Sequence, residues 1–177
     1  MLILMVGLPG TGKTTLSRAL IGRYGGFAID KDLIRPALFG PTQIAYTVEQ
    51  DDFCQQVMLE TAVWLLERNP KLRVFLDGRP FSREYQRASV RDAAEKIGTP
   101  LAIIECIAND ETALARIRAD LKSGTHLAAN RTEELYFEKK HDFEREPLQG
   151  PRLTISSDRA LEESVAAAND YLKAFDS

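Results

Sequence analysis

Cysteine is scarce in this sequence, and its placement argues against two kinds of stabilising cross-link. The chain of 177 residues contains only Cys54 and Cys106, which are far apart and stand among apolar residues. Neither the paired spacing of a zinc site nor a set of cysteines for several disulfides is present. A hydrophobic core must therefore stabilise the fold, and we expect both thiols to lie in it.

Long hydrophobic runs and a large excess of one charge are missing as well. The apolar start, MLILMV, is too short to cross a membrane and has neither a basic flank nor a cleavage site. It is predicted to be a strand, and the absence of an export signal makes a cytoplasmic protein without a membrane partner the expectation. The net charge of −3 argues against nonspecific binding of nucleic acid by charge alone.

Short apolar runs alternate regularly with amphipathic stretches. The apolar runs are nearly continuous, which is typical of parallel strands that helices cover on both faces. This order predicts one α/β domain of three layers over residues 1–177. The predicted strands are Leu2–Val6, Phe27–Asp30, Arg73–Asp77, Leu101–Ile107 and Leu153–Ser156. The predicted helices cover about 13–23, 31–39, 48–68, 82–97, 110–121, 132–145 and 158–175.

Residues 7–14 read GLPGTGKT and directly follow the first predicted strand. They fit G-x-x-x-x-G-K-[ST], a loop whose backbone N–H groups bind nucleotide phosphates at the start of a helix. Lys13 would reach the β- and γ-phosphates of ATP, and the Thr14 hydroxyl would ligate Mg²⁺. The alternative, a plain glycine-rich turn, requires neither the lysine nor the hydroxyl. The predicted nucleotide contacts are Gly7, Gly10, Thr11, Gly12, Lys13, Thr14 and Thr15.

Two large classes of nucleotide-binding protein are disfavoured by missing motifs. A GTP-dependent switch would carry D-x-x-G and N-K-x-D elements. Pro80 stands where the glycine after Asp77 would belong, and N-K-x-D does not occur. A transporter ATPase would need a signature similar to LSGGQ and a longer chain. A small kinase remains.

Two aspartates and an arginine follow the second predicted strand, in the segment DKDLIR. In a parallel sheet, the carboxyl end of this strand lies on the same edge as the phosphate loop. Asp32 could accept the proton of an acceptor hydroxyl while Arg35 binds substrate. The alternative is structural, with Asp30 or Asp32 capping a helix and Arg35 in an ion pair. We favour the functional interpretation for Asp32, and less strongly for Asp30.

The third predicted strand ends in LDGRP, which places Asp77 and Arg79 at the same edge. An aspartate after an apolar strand would bind Mg²⁺ directly or through water, or would contact substrate. A turn aspartate before Gly78 is the alternative. Arg79 is a candidate for binding an anionic group of the substrate.

Two weaker patterns favour structural interpretations. Arg83, Arg87 and Arg91 recur at intervals of four residues, which puts them on one helical face. Because acidic residues alternate with them, we interpret Arg87 and Arg91 as part of a solvated face. Trp64 falls at helical spacing with apolar neighbours and is predicted to lie in the core.

These motifs resemble, in order and over nearly the whole chain, the small P-loop kinases. The chain especially resembles the branch that includes the polynucleotide 5′-hydroxyl kinase domain, and it is also similar to APS and gluconate kinases. The matching segments are GLPGTGKTT, DKDLIR, VFLDGRPFSREYQR, LAIIECIANDETALARIRAD, HDFEREP and LTISSD.

The resemblance implies a five-stranded sheet of order 2-3-1-4-5 and a helical lid at about 116–145. It also implies that Asp32 is the general base, that Arg35 contacts substrate and that Asp77 lies near substrate or metal. Arg116 best matches a family arginine that stabilises the transferring phosphoryl group. A second family arginine is expected four residues later, where Asp120 stands; the candidates to replace it are Arg118 and Arg131.

The sequence thus predicts an ATP-dependent kinase that uses Mg²⁺ and phosphorylates a hydroxyl of a small metabolite. Lys13, Asp32 and Arg116 are its predicted catalytic residues. Arg35, Asp77, Arg79 and Arg131 are predicted to bind substrate, and Thr14 and Asp77 to bind the metal. Two alternatives remain open: a polynucleotide 5′-hydroxyl kinase, and a nucleotide-binding regulatory module with little catalysis.

Overall fold

A sheet of five parallel strands forms the centre of the computed structural model, which describes residues 1–124 and 130–176. The strand order is β2-β3-β1-β4-β5, which confirms the predicted order and fold class. The strands are β1 (Leu2–Val6), β2 (Phe27–Asp30), β3 (Val74–Asp77), β4 (Leu101–Ile107) and β5 (Leu153–Ser156). The helices are α1 (Lys13–Tyr24), α2 (Lys31–Gln43), α3 (Val48–Arg68), α4 (Glu84–Lys96), α5 (Asp110–Ser123), α6 (Glu133–Arg145) and α7 (Leu161–Lys173).

The central strand β1 divides the hydrophobic core into two layers, because its side chains point alternately to opposite faces of the sheet. Ile3 and Met5 belong to the cluster that also contains core residues of α1 and α7. Leu2, Leu4 and Val6 belong to the cluster that contains core residues of α3 and α4. All five residues of β1 are buried, which confirms the expectation from its continuous apolar run.

The predicted helices form nearly where the sequence places them, and polar side chains mark where several begin. Thr47 accepts a hydrogen bond from the Gln50 backbone N–H at the start of α3, and Asn109 accepts one at the start of α5. The helix α2 runs further than expected, to Gln43, but its backbone breaks helical geometry at Gly40, which has φ 62°. Helix starts are encoded locally by such caps.

The register of the sheet places two predicted site residues side by side. In the parallel pair β2 and β3, Asp30 is aligned with Asp77 at the carboxyl ends of both strands. The phosphate loop begins at the carboxyl end of β1, which pairs with the other side of β3. Three strand ends therefore bring the loop and the two aspartates to one edge of the sheet.

The prediction that Trp64 lies in the core is wrong. Its side chain is 55% exposed on α3, and the guanidinium carbon of Arg68 lies 4.0 Å from the centroid of its ring. The apolar face of α3 is formed instead by residues such as Met58, Ala62 and Leu66. Trp64 is thus covered by an arginine one turn away rather than by the sheet.

The interpretation of Arg87 as a solvated residue is also wrong, whereas Arg91 is exposed as expected. Arg87 is only 2% exposed, and it donates hydrogen bonds to the Phe81 carbonyl at 2.9 Å and the Glu146 carbonyl at 2.8 Å. Both acceptors lie in irregular segments whose carbonyls need donors when they are buried. Arg87 therefore joins the loop after β3 to the end of α6.

The predicted lid at 116–145 is described in part, because residues 125–129 lie outside the described residues. Helix α5 ends before that gap and α6 begins after it, and a small cluster of Ala113, Ile117 and Tyr136 packs the two helices together. Within residues 1–124 and 130–176, every helix is too short or too polar to cross a membrane.

Candidate active site

A cleft of about 850 Å³ opens at the carboxyl edge of the sheet. One wall is the loop from Pro9 to Thr15, and the opposite wall begins at Asp30 and continues through the start of α2. Ligand sites in open α/β sheets lie in this position, outside the carboxyl ends of the strands. Of the predicted site residues, the cleft is lined by Gly10, Thr11, Gly12, Lys13, Thr14, Thr15, Asp32, Asp77, Arg79, Arg116 and Arg131.

The phosphate loop needs glycine because it packs tightly against two other segments. Gly7 has φ 140°, and a Cβ built on it would lie 2.2 Å from the Cys106 carbonyl oxygen at the end of β4. A Cβ on Gly10, which has φ 82°, would lie 2.5 Å from the Ala113 carbonyl oxygen in α5. Gly7 is buried against the end of β4 and supports the shape of the loop, whereas Gly10 lines the cleft.

Lys13 lies folded over the loop that precedes it. Its ammonium donates hydrogen bonds to the Gly7 carbonyl at 2.8 Å and to the Leu8 carbonyl at 2.9 Å. Burial lowers the pKa of Lys13, and the nearby Asp77 carboxylate opposes that effect. The Thr11 hydroxyl donates to the same Leu8 carbonyl at 2.8 Å, so it stabilises the loop.

Thr14 and Thr15 stand in the first turn of α1, whose N–H groups have no intrahelical partner.

Three aspartates share the edge of the cleft, and each is in a different environment. Asp77 is 1% exposed and accepts hydrogen bonds from the Ser17 hydroxyl at 2.9 Å and the Gly78 N–H at 2.7 Å. Asp30 caps α2 by accepting from the Asp32 N–H at 2.9 Å. Asp32 lines the cleft with its side chain 16% exposed.

The carboxylates of this edge are held in an environment that disfavours charge. Burial raises the pKa of Asp30 to about 6, and the neighbouring Asp77 adds to this. Burial also raises the pKa of Asp32, although the ammonium of Lys31 opposes the effect. Like charges that share a poorly solvated site repel one another, and a cation among them would relieve the repulsion. This edge therefore suits a bound cation or a proton-accepting role.

A cluster of cations and carboxylates forms the wall beyond Asp32. The Lys31 ammonium lies 2.8 Å from Asp51 in the first turn of α3, and Arg35 forms an ion pair with the same carboxylate. Arg35 is 3% exposed and its guanidinium carbon lies 4.7 Å from the ring centroid of Tyr46. Arg35 is thus buried behind the cleft wall instead of lining it.

Arg79 does line the cleft, and three acceptors fix its guanidinium. It donates to the Gln55 side-chain oxygen at 2.8 Å, the Asp51 carbonyl at 3.1 Å and the Asp52 carboxylate at 2.5 Å. Its side chain is 3% exposed. The loop after β3 is thereby tied to the start of α3.

The arginines of the lid region occupy distinct places. Arg116 donates to the Gly10 carbonyl at 3.0 Å and to the Ser157 hydroxyl at 2.7 Å, which joins the phosphate loop to the end of β5. Arg131 lines the cleft and lies 3.2 Å from the Asp120 carboxylate. Arg118 is 62% exposed and pairs with Glu133 at 2.6 Å. The structure therefore brings Arg131, and not Arg118, into the cleft.

Two residues of the site were missed from the sequence. Lys31 stands between the aspartates of DKD and lines the cleft, so its position in the motif was a usable signal. Asp51 reaches the same wall from α3, twenty residues further along the chain, as part of the pair Asp51 and Asp52. No local pattern indicated that the start of α3 would cross the end of β2.

Comparisons with known proteins agree with this architecture. A family profile described as AAA domain matches residues 2–134. A provisionally assigned kinase from Chloroflexus aurantiacus has a TM-score of 0.75 and 19% identity, with 97% of each chain covered. The Mycobacterium tuberculosis APS kinase CysC, in complex with AMPPNP and APS, has a TM-score of 0.72 and 15% identity, covering 97% of this chain and 96% of its own.

A third similar structure is Kti12 from Chaetomium thermophilum in complex with ADP-AlF3. Its TM-score is 0.73 at 16% identity, and 100% of both chains is covered. No curated protein sequence matches the chain at a significant level. The resemblance to small P-loop kinases is confirmed at the level of the fold.

Proposed function

The chain belongs to the AAA domain family, and we propose that it is an ATP-dependent kinase that phosphorylates a hydroxyl of a small molecule. The observation that carries this proposal is the placement of Lys13 and Asp32 in one cleft. A phosphate-binding lysine and a proton acceptor on opposite walls are what transfer to a hydroxyl requires.

ATP fits the phosphate-loop side of the cleft. The loop from Gly10 to Thr14 lines the cleft where α1 begins, and at Gly10 it packs tightly against α5. The Lys13 ammonium is poised between two loop carbonyls and would exchange them for β- and γ-phosphate oxygens. The similar APS kinase and Kti12 structures hold AMPPNP and ADP-AlF3, which supports a nucleotide here as well.

The same residues fit Mg²⁺ as the partner of ATP. Thr14 and Asp77 supply oxygen donors, which are the ligands Mg²⁺ prefers, and the crowded carboxylates would gain from a cation. Among the described residues, no group of three or more His, Cys, Asp or Glu side chains is arranged to hold a metal ion. When bound with ATP, Mg²⁺ would neutralise charge on the phosphates.

Asp32 is the best placed of the three aspartates to act as general base. One oxygen of Asp30 is used to cap α2, and Asp77 is engaged by Ser17. Asp32 would take the proton of the acceptor hydroxyl as its oxygen bonds to the γ-phosphorus. The bond from that phosphorus to the β,γ-bridging oxygen breaks, and ADP leaves. The raised pKa of Asp32 suits it to hold the proton.

Positive side chains line the cleft in which charge would spread during transfer. Lys13 lies on the loop side, Arg131 lies on the lid side, and Arg116 is anchored at Gly10. Guanidinium groups so placed stabilise the equatorial oxygens of the transferring phosphoryl group. The small-molecule acceptor is favoured over a polynucleotide because the chain as a whole is acidic.

A screen of ATP consumption against a panel of hydroxyl compounds and 5′-hydroxyl oligonucleotides tests this proposal. We expect ADP formation that depends on an acceptor in the wild type, and a loss of about 10²–10⁴-fold in Asp32→Asn with ATP affinity retained. Asp92→Asn, an exposed aspartate on α4, is the matched control. Equal transfer by Asp32→Asn would refute the base assignment. Transfer to oligonucleotides alone would favour the polynucleotide kinase. ATP binding without transfer would favour a regulatory module.

A further inference from the structure

The charge that lines the cleft is opposite in sign to that of the chain. Among the described residues, eight cationic and five acidic side chains line it, while the whole chain carries −3. On the nucleotide side, the phosphates of ATP would compensate the charge of Lys13. Beside Asp32, on the acceptor side, Lys31 and Arg79 also line the cleft, and both are deeply buried. Buried cations require anionic partners, so the identity of those partners is informative.

The partner of Lys31 comes from a separate element. Its ammonium lies 2.8 Å from an Asp51 oxygen at the start of α3 and 3.9 Å from an Asp32 oxygen. The same Asp51 carboxylate pairs with Arg35. One carboxylate thus serves two cations whose side chains are 9% and 4% exposed, while the Asp51 side chain itself is 25% exposed and faces the cleft.

Hydrogen bonding around this pair of cations is incomplete. The Lys31 ammonium has three N–H donors, and among the described residues it makes one hydrogen bond, to Asp51 at 2.8 Å. A buried donor without an acceptor costs free energy, and a ligand that supplies several oxygens would satisfy more donors than a single carboxylate does. The position that Asp51 occupies is therefore an oxyanion position beside the proposed base.

We propose, on the basis of the kinase function above, that Asp51 stands in for an oxyanion of the acceptor. The acceptor is then a hydroxyl compound that also carries a carboxylate, phosphate or sulfate. Its anionic group binds Lys31 in place of Asp51, and Asp51 turns away from Lys31 while it stays paired with Arg35. Because Lys31 lies 3.9 Å from Asp32, the hydroxyl and the oxyanion of the acceptor are separated by only a few bonds.

Asp51 acts in this arrangement as a specificity residue. A neutral hydroxyl compound cannot displace it from Lys31, since the buried ammonium would then be left uncompensated. An anionic acceptor exchanges one carboxylate for another anion, so the charge of the site is conserved.

Binding of simple oxyanions tests the proposal without requiring turnover. The phosphate loop is first saturated with Mg²⁺ and AMPPNP, and sulfate, inorganic phosphate and acetate are titrated calorimetrically. We expect Asp51→Asn to bind at least one of them about tenfold more tightly than the wild type, because the competing carboxylate is gone. Glu49→Gln removes the same charge from an exposed position in the same turn of α3 and is expected to change nothing.

The double variant Lys31→Met/Asp51→Asn locates the site. We expect it to lose the tighter anion binding of Asp51→Asn. Anion binding by the double variant that is as tight as in Asp51→Asn would overturn the proposal, and so would an equal increase in affinity in Glu49→Gln. Lys31→Met in the native background is the second variant if Asp51→Asn does not fold; it is expected to weaken anion binding about fivefold, and unchanged binding would overturn the proposal. The preferred anion identifies the acceptor group.

The two proposals fail in distinguishable ways. Loss of the anion effect with transfer to a neutral hydroxyl compound would refute the role of Asp51 and leave the kinase intact. The expected anion effect without any transfer would refute the kinase and leave the oxyanion position.

Discussion

The carboxylate of Asp120 on α5 lies 3.2 Å from the guanidinium of Arg131, which precedes α6, and both residues line the cleft. Asp120 stands where the resembling kinases are expected to carry an arginine. The acidic residue therefore positions a cation that another segment supplies. Burial lowers the pKa of Arg131, whereas Asp120, Asp32 and Asp77 raise it.

Replacement of Arg131 is expected to slow transfer much more than it weakens ATP binding. A positioned guanidinium is worth about 10³-fold or more in phosphoryl transfer, so Arg131→Met should lower kcat by that order. Arg118→Met is the control, because Arg118 is exposed and pairs with Glu133. Steady-state kinetics decide: equal kcat values for the two variants would show that Arg131 takes no part in transfer.

Arg87 is expected to be a stability residue. Its replacement by methionine would leave the buried Phe81 carbonyl and the partly buried Glu146 carbonyl without their donor, at a cost of about 1–3 kcal/mol in the free energy of unfolding. Arg91→Met removes the same charge from a position that is 45% exposed and should cost less than about 0.5 kcal/mol. Urea unfolding of both variants measures the difference. A similar small cost for both would contradict the buried role of Arg87.

The pH dependence of stability should reveal the burial of Asp30. Its pKa is raised in the folded protein from 3.8 to about 6, so the folded state holds the proton more tightly than the unfolded state. Stability is therefore lost as the pH rises from about 4 to about 6.

Asp30→Asn removes that penalty and keeps a good helix cap for α2. Its unfolding temperature is expected to exceed that of the wild type at pH 8, with the gain shrinking as the pH falls through about 6 to below 4. A gain that is independent of pH would show that charge on Asp30 is not its cause.

Binding of an anionic acceptor should weaken in alkaline solution. Burial lowers the pKa of Lys31 to about 8, with Asp32 opposing the effect, so the ammonium loses its proton as the pH rises through that value. The KM for the acceptor should rise above pH 8 in the wild type. Lys31→Arg, which stays charged, should show no such rise. The same alkaline rise in Lys31→Arg would place the titrating group elsewhere.

Local sequence predicted most of the fold and the phosphate side of the site. The strands are continuous apolar runs, and the loop from Gly7 to Thr14 is a contiguous motif whose shape depends on its own glycines. The strand order followed from a resemblance, because local patterns do not encode which strands are neighbours.

The acceptor wall and two packing assignments depended on tertiary contacts. Asp51 meets Lys31 only because α3 crosses the end of β2, and the choice between Arg118 and Arg131 depended on where α6 begins. Arg87 and Trp64 were misassigned for the same reason. Their periodicity was helical, but which face of the helix was buried depended on packing against the rest of the molecule.

The central claim is that the loop binds the phosphates of a nucleotide. The unfolding temperature in the presence of ATP, ADP or AMP, each with Mg²⁺, tests it most directly. Ligand at about 100 times its Kd stabilises the folded state by about 2.7 kcal/mol. We predict strong protection by ATP and ADP, little by AMP, and loss of protection in Lys13→Met. No protection by ATP, or equal protection of the wild type and Lys13→Met, would contradict the account.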